Sequence, residues 1–572
     1  MQNPNVILAA TLASALADLG VENACISPGS RNTPLIAGFG GESRIRKWPI
    51  LDERSAGFFG VGLAKATGRP VVLVCTSGSA AAEYHPAVVE ASHSDIPLLI
   101  LTADRPAELR SIGAPQTIDQ IELYGSSVRL FVDAPTPTEA TRSREIVDLA
   151  VEAWSAATAG TPGPVHLNLP FREPLLSGTT SPTIPPMDLP TAVDAEPPDL
   201  SQLAGAINGR NGLIVAGRSN DPEFPEACTA FAEAAGYPII ADPLSGLRHG
   251  THQIGRVLAS GDALAAAGAF DRLSPDLVVR FGPVPTSKPT WSWLENNPDV
   301  EQILIDVANR DATHSATTVL TIPPTTGAKA LAATVTKTAP QAWTDRWLTL
   351  DAAASEAIAD ASLAAPFPNE PMIARIVMEN APAGTFVTVG SSMPIRDVDT
   401  FGGKSTHPIR VFGNRGTNGI DGVVSAALGT AASGRPAIAL VGDVSMFHDL
   451  NALGTASQLG LPLTVIVIHN DGGGIFHFLP QRDPAILPPE TFEQYLGTPH
   501  GTDFVEVSKA LGIQSCNVEK PAELARIISG DGDKPRLIQL RTDRDDNTEL
   551  HRKIAAVVED TVSAMLTGGL LT

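Results

Sequence analysis

Along most of the chain, short uninterrupted runs of Val, Ile and Leu alternate with Ala-rich stretches of helical period. The runs are VVLVC (71–75), PLLILT (97–102), LIVAG (213–217), LVVRFG (277–282), FVTVG (386–390), AIALVG (437–442) and LTVIVIH (463–469). A run without polar alternation suits a strand buried on both faces. The pattern therefore predicts an α/β fold of mostly parallel sheets covered by helices. Residues 1–20 read as an amphipathic helix and lack the basic n-region of a secretory signal. The rhythm breaks twice. Residues 173–200 carry seven prolines and no apolar period, and read as an extended linker. Around 351–371 an Ala-rich segment runs into PFPNEP. These breaks divide the chain into three expected domains, 1–185, 190–350 and 365–572.

The first and third segments share an internal repeat. Residues 71–106 order a strand, a small-residue loop, a helix, a proline and a strand, and residues 437–473 repeat that order at almost the same spacing. Two related domains flanking a third would account for it, as would independent use of a common βαβ unit. Ligands of open α/β sheets sit beyond the carboxyl ends of the strands, so the loops after VLVC and ALVG are where chemistry is expected.

Composition narrows the class. The 572 residues suffice for three or four domains, and 43% hydrophobic content supplies a large core. Forty Lys and Arg against 62 Asp and Glu leave a net charge of −22, which excludes a surface built for non-specific nucleic-acid binding. No apolar run approaches the ~20 residues of a membrane span. Cys25, Cys75, Cys228 and Cys516 form no CxxC pair, which points to a reducing, cytoplasmic setting with neither disulfide framework nor zinc site.

The candidate chemistry begins at Gly442-Asp443-Val444, where a predicted strand ends. Twenty-seven residues after Asp443, at the end of the next predicted strand, stand Asn470, Asp471 and three glycines. A hard divalent cation takes about six oxygens and is commonly shared between one or two side chains and phosphate oxygens. Asp443 offers a carboxylate, Asn470 an amide oxygen and Gly472 a carbonyl. Gly442 and Gly472–Gly474 allow close backbone approach to phosphates, and a helix starting near Ser445 would point its N-terminus at them.

On these residues the sequence resembles the thiamine diphosphate (ThDP) enzymes, whose signature is GDG, some two dozen residues, then NN. Here it reads Gly442-Asp443-Val444, twenty-four residues, then His469-Asn470. Val444 replaces the third Gly and His469 the first Asn. The resemblance implies ThDP with Mg²⁺ or Mn²⁺, and a glutamate from the other related domain that keeps the cofactor's aminopyrimidine protonated at its ring nitrogen. Glu53, in PILDERSAGFFGVGLAKATG at a strand-to-helix junction, fits that role. As a carboxyl at a helix start it also has an ordinary electrostatic explanation.

Several cations lie in Gly/Ser/Pro loops. They are Arg31 in SPGSRNTPL, Arg396 four residues after Ser392 in VGSSMPIRD, Arg415 in FGNRGTNGIDG, and Lys288 in PTSKPTWSW. Guanidinium groups in such loops suit substrates bearing several carboxylates. These loops, with TSGSAAAEYHPAVVEA, TADRP, GDVSMFHDLNAL and NDGGGIFHFLP, closely resemble the 2-succinyl-5-enolpyruvyl-6-hydroxy-3-cyclohexene-1-carboxylate synthases of menaquinone biosynthesis, and do so over essentially the whole chain. That family decarboxylates 2-oxoglutarate on ThDP and adds the succinyl carbanion equivalent to isochorismate in a conjugate addition.

Carried over by position, Glu53 is the cofactor-activating acid, and Asp443, Asn470 and the Gly472 carbonyl are the metal ligands. Ser392, Arg396 and Arg415 would hold 2-oxoglutarate; Ser30, Arg31, Gln116 and Lys288 would address isochorismate. Thr76, Gly78, Gly442, Val444, Ser445 and Gly473 fall on cofactor-binding positions. Ile420, Ile475, Phe476 and Leu479 would wall the pocket, Ile420 also supporting the bent cofactor. The apolar IFHFL stretch would exclude water, or simply anchor the domain core. The resemblance further implies a homodimer or homotetramer with active sites at the subunit interface.

The twelve histidines, His85, His93, His469 and His477 among them, read as structural or peripheral rather than as bases. Arg105, Arg280 and Arg310 sit at predicted strand ends without a substrate role, as surface pairs or a regulatory anion site. Other readings are an acetolactate-synthase-like carboligase acting on pyruvate, and a catalytically silent scaffold. A nucleotide-dependent protein is suggested only by Gly403-Lys404-Ser405, which matches the end of a P-loop. Val398 stands where that motif's first glycine belongs.

Overall fold

The computed structural model describes residues 3–177, 198–530 and 532–567. The proline-rich linker expected over 173–200 lies largely outside the described residues.

Among the described residues, eighteen strands form three six-stranded sheets, and every strand pairing is parallel. The first sheet contains β1 (Asn23–Ile26), β2 (Arg46–Pro49), β3 (Val71–Cys75), β4 (Leu98–Asp104), β5 (Leu130–Asp133) and β6 (Pro164–Pro170), in the order β2-β1-β3-β4-β6-β5. The second contains β7 (Gly212–Ala216), β8 (Ile239–Ala241), β9 (Val257–Leu258), β10 (Leu277–Phe281), β11 (Glu301–Ile305) and β12 (Thr318–Leu320), in the order β12-β11-β10-β7-β8-β9. The third contains β13 (Phe386–Val389), β14 (Arg410–Phe412), β15 (Ala437–Gly442), β16 (Leu463–His469), β17 (Gln514–Asn517) and β18 (Arg536–Arg541), in the order β14-β13-β15-β16-β18-β17. The expected α/β class holds, and each apolar run of the sequence forms a strand.

The first and third sheets have the same strand order, each strand of one matching the strand twelve places later in the other. The internal repeat therefore extends from one βαβ unit to a whole sheet. The middle sheet is wound differently, from its centre outward in both directions, the order of doubly wound nucleotide folds. At its switch point a Cβ on Gly217 would lie 1.8 Å from the Pro283 carbonyl oxygen, so the loop after β10 packs directly on the loop after β7.

By its contacts the chain forms two compact units. One comprises Met1–Asp194, Asn414–Arg435 and Phe447–Leu461; the other comprises Ala195–Gly413, Pro436–Met446 and Pro462–Thr572. The first unit holds the first sheet. Its opening helix, Pro4–Asp18, is capped by Asn3, whose side chain accepts the Asn5 amide at 2.9 Å, and its apolar face joins the sheet core through Leu8, Leu12 and Leu16. In the same unit the helices Glu53–Thr67 and Val423–Ala431 cross at glycines. A Cβ on Gly62 would lie 1.8 Å from the Ala426 oxygen, and one on Gly429 2.1 Å from the Phe59 oxygen. In the second unit the helix Arg544–Thr567 packs through Ile554, Val558 and Val562 into the core around Trp343 and Trp347 of the Gln341–Leu363 helix.

Candidate active site

The β15–β16 pair of the second unit builds a corner of potential ligand atoms. Gly442 lies opposite Ile468, so the chain leaves two adjacent strands at Asp443 and His469. A short helix, Asp443–His448, starts two residues before the expected position because the strand runs into it with no intervening loop. Asp443 is 1% exposed. Its Oδ1 accepts the Val444 amide at 2.7 Å and its Oδ2 the Gly472 amide at 3.0 Å. His469 Nδ1 and His500 Nε2 lie 3.3 and 3.6 Å from the same Oδ2. Burial opposes ionisation of this carboxyl, but the two imidazoles and the Gly472 amide prevail and hold it down to about 2. Among the described residues, Asp443, His469 and His500 form a group of potential ligand atoms within 4.8 Å of one another.

Asn470 completes the corner. Its Nδ2 donates to Glu370 Oε1 at 2.9 Å, which leaves Oδ1 as a buried oxygen with no hydrogen-bond partner. Glu370 also accepts the Thr542 hydroxyl at 2.9 Å; burial and the neighbouring Asp397 carboxylate push its pKa up to about 7. Asp471 Oδ1 accepts the amides of His500 (3.1 Å) and Gly501 (2.8 Å), and so brings the loop bearing His500 to the site. Gly472 is obligatory: its φ is +140° and a Cβ would lie 1.8 Å from the Gly497 oxygen, the oxygen that accepts the Gly473 amide at 2.7 Å. Ser445 is buried, while Val444, Ile475 and Phe476 are half-buried and Leu479 is exposed. The rest of IFHFL anchors the turn: His477 meets Phe492 edge to face and bonds Asp545 at 2.9 Å, and Phe478 packs on His551.

The second half of the expected site lies in the first unit. Glu53 opens the Glu53–Thr67 helix, which Asp52 caps by accepting the Ser55 amide at 2.8 Å. Burial of the Glu53 carboxyl, with Asp52 and Glu83 nearby, raises its pKa above the usual carboxylate value. Burial, with Glu53 nearby, pushes the Cys75 thiol at the end of β3 well above its ordinary pKa.

The loops after β1 and β3 pack together there. A Cβ on Gly29 would lie 2.3 Å from Thr76 Cβ, and the Thr76 hydroxyl is buried without a partner. Gln116, at φ +56°, donates from Nε2 to the Ser77 carbonyl (3.1 Å) and accepts the Ser77 hydroxyl (3.0 Å). The Gly78 amide donates to Gln120 at 3.0 Å. Arg31 is buried, donating to the Phe171 carbonyl (3.0 Å) and Glu173 (3.2 Å), while Ser30 beside it is exposed. Arg105 donates to the Ser77 hydroxyl and to the Pro115 carbonyl; burial and the neighbouring Arg31 lower its pKa.

The first unit thus gathers Ser30, Arg31, Glu53, Thr76, Gly78 and Gln116. It adds Arg105, which by sequence alone falls with Arg280 and Arg310 at strand ends without a substrate role. Arg415 and Ile420 belong to the same unit, in a loop sealed where a Cβ on Gly422 would meet the Phe58 ring at 1.9 Å.

The remaining expected cations are in the second unit. Ser392, at φ +73°, heads the Met393–Phe401 helix, and Arg396 Nη1 donates back to its carbonyl at 2.5 Å. Lys288, exposed at the start of the Lys288–Asn296 helix, lies 4.1 Å over the Trp291 ring. Arg280 is buried against Asp311 (2.9 Å) and Thr313 (2.8 Å), and Arg310 pairs with Asp306 (2.8 Å), so both are engaged in ion pairs of the middle sheet. Lys404 of the P-loop-like tripeptide is held by Asp351 (3.3 Å) and the Val257 carbonyl.

By sequence alone His469 reads as structural or peripheral, and nothing there singles out His500 or Glu370. No local motif marks them, because their partners are remote in sequence. An ionised Asp443, an unpartnered Asn470 oxygen and the Gly472 cradle form the hard oxygen set that a cation on a diphosphate requires, and the residues present fit ThDP.

Comparison with known proteins agrees with this chemistry. The profile of the thiamine pyrophosphate enzyme N-terminal TPP binding domain matches residues 7–123, and that of the C-terminal TPP binding domain matches residues 403–539. Among its relatives are proteins named 2-succinyl-5-enolpyruvyl-6-hydroxy-3-cyclohexene-1-carboxylate synthase, three of which illustrate the likeness. The protein of Bacillus velezensis is 39% identical, with 98% of this chain and 99% of the relative aligned. That of Chloroflexus aurantiacus is 41% identical over 97% and 96%. That of Halobacterium salinarum is 39% identical over 97% and 98%. With such identity sustained from end to end, the chain belongs to the 2-succinyl-5-enolpyruvyl-6-hydroxy-3-cyclohexene-1-carboxylate synthase family of ThDP-dependent enzymes.

Proposed function

We propose that this enzyme joins 2-oxoglutarate to isochorismate, releasing carbon dioxide and taking up a proton, to give the product for which its relatives are named. The observation that carries the reading is identity of 39–41%, sustained over nearly the whole chain, with relatives of that name. The placing of Arg105 on the Ser77 hydroxyl beside Gln116, near enough to the buried Arg31 for the two charges to oppose each other, agrees with it. Two neighbouring guanidiniums in a chain of net charge −22 suit a polycarboxylate substrate.

ThDP, when bound, supplies the nucleophilic carbon and the electron sink for decarboxylation. Asp443, Asn470 and the Gly472 carbonyl would hold Mg²⁺ or Mn²⁺ on its diphosphate, with His469 and His500 orienting Asp443. Glu53, whose pKa burial raises above the usual carboxylate value, would hold the proton at the aminopyrimidine ring nitrogen. Ser392, Arg396 and Arg415 would grip 2-oxoglutarate. Ser30, Arg31, Gln116 and Lys288 would grip isochorismate. Ile420, Ile475, Phe476 and Leu479 would keep water from the reacting carbon.

Three domains, 1–185, 190–350 and 365–572, a homodimer or homotetramer and a cytoplasmic setting complete the proposal. Among the described residues no helix is long and apolar enough to cross a membrane.

The test is direct. Purified protein with ThDP, Mg²⁺ and both acids should consume isochorismate, followed by its absorbance, with one carbon dioxide released per turnover. Turnover with pyruvate in place of 2-oxoglutarate at an equal rate would overturn the assignment.

A further inference from the structure

The first unit contains a buried ion pair with no role in the chemistry above. Lys65, near the end of the Glu53–Thr67 helix, and Glu90, on the His85–His93 helix, are 5% and 1% exposed, with Nζ and Oε1 3.6 Å apart. Such burial is rare for these residue types, and a buried pair is weak evidence for stability because desolvation offsets the attraction.

The remaining partners of Glu90 explain its placement. Oε1 accepts the Gly416 amide (3.0 Å) and the Ser94 hydroxyl (2.7 Å). Oε2 accepts the Thr417 amide (2.9 Å) and the Thr417 hydroxyl (3.2 Å). Gly416 fits closely: a Cβ there would lie 2.7 Å from Ser94 Oγ and 2.8 Å from the Glu90 carbonyl oxygen. The two captured amides belong to the residues that immediately follow Arg415. We propose that Glu90, neutralised by Lys65, is a positioning residue that clamps the backbone after Arg415 and thereby sets where that guanidinium meets a substrate carboxylate.

The clamp binds the main-chain amides of Gly416 and Thr417, so it fixes the backbone from which Arg415 projects. Burial disfavours the Glu90 anion, but Lys65 and these hydrogen bonds keep its pKa below the usual value, so it remains a full acceptor at neutral pH. The inference rests on the reading of Arg415 as a 2-oxoglutarate ligand.

A double-mutant cycle in the ThDP- and Mg²⁺-loaded enzyme tests it. Glu90→Gln should raise KM for 2-oxoglutarate at least tenfold while shifting the Kd for ThDP less than twofold. In an Arg415→Ala background the same change should add less than a further twofold. Gly416→Ala, whose methyl would lie 2.7 Å from Ser94 Oγ and 3.0 Å from Glu90 Oε2, pushes the loop off the clamp while keeping both charges; it should reproduce the KM rise and carries the cycle if Glu90→Gln fails to fold. Full multiplicative effects of Glu90→Gln and Arg415→Ala, or a lowered Tm with KM unchanged, would overturn the proposal. A wild-type enzyme that consumes neither acid would instead overturn the reading beneath it, a result distinct from additivity in an active enzyme.

Discussion

Glu53 is placed where ionisation costs the fold something. Its unperturbed pKa is 4.5, and burial with two neighbouring carboxylates raises it in the folded chain. Below about pH 4.5 both folded and unfolded forms carry the proton, and the stabilising contribution of the neutral form is complete. As pH rises through the raised folded value, that contribution is lost. Glu53→Gln removes the loss. Its Tm should exceed that of the wild type at pH 8 and converge with it towards pH 5, by thermal scanning across that range. Turnover of the same variant should fall by about 10³-fold or more, with the Kd for ThDP nearly unchanged.

Glu370 acts within the second unit, beside Asn470. Its carboxyl fixes which end of the Asn470 amide turns away as a free oxygen. Glu370→Ala should weaken Mn²⁺ binding by about 10- to 100-fold in titration calorimetry, whereas a change under twofold would remove Glu370 from this role. Asp443 and Asn470 were legible in the sequence because their spacing follows from two adjacent strands. Glu370, His469 and His500 act through contacts that only the tertiary fold creates.

At the scale of elements, strands buried on both faces announced themselves as apolar runs, and edge strands did not. β2 reads RKWP, β12 TVL and β17 QSCN, each partly exposed, so no continuous run marks them. β6, PVHLNLP, is wholly buried yet interrupted by His166 and Asn168, which bond Thr102 at 2.8 and 3.0 Å. Buried polar pairing of this kind hides a central strand from pattern reading. The crossing of the Glu53–Thr67 and Val423–Ala431 helices was equally silent, since GVGLAKATG gives no partner for Gly62. Gly62→Ala drives a methyl into the Ala426 carbonyl, and should cost about 1–3 kcal/mol in chemical denaturation. Full stability in that variant would contradict the close approach.

For the whole molecule, the matching orders of the first and third sheets give the sequence repeat a structural meaning: two copies of one sheet architecture, one carrying Glu53 and the other Asp443 and Asn470. The middle sheet is wound on another plan, and no sequence signal distinguished it, because buried strands of either plan look alike. The proposed assembly predicts a dimer or tetramer in sedimentation analysis at micromolar concentration, and an active monomer would refute it.

The central claim is that one ThDP is served by these two sets of residues, and a crystal structure of the protein soaked with ThDP and Mg²⁺ tests it most directly. The account predicts the cation on Asp443, Asn470 and the Gly472 carbonyl, and the aminopyrimidine ring nitrogen on a Glu53 carboxyl. ThDP bound away from Asp443 and Asn470, or with its pyrimidine on another acid, would contradict it.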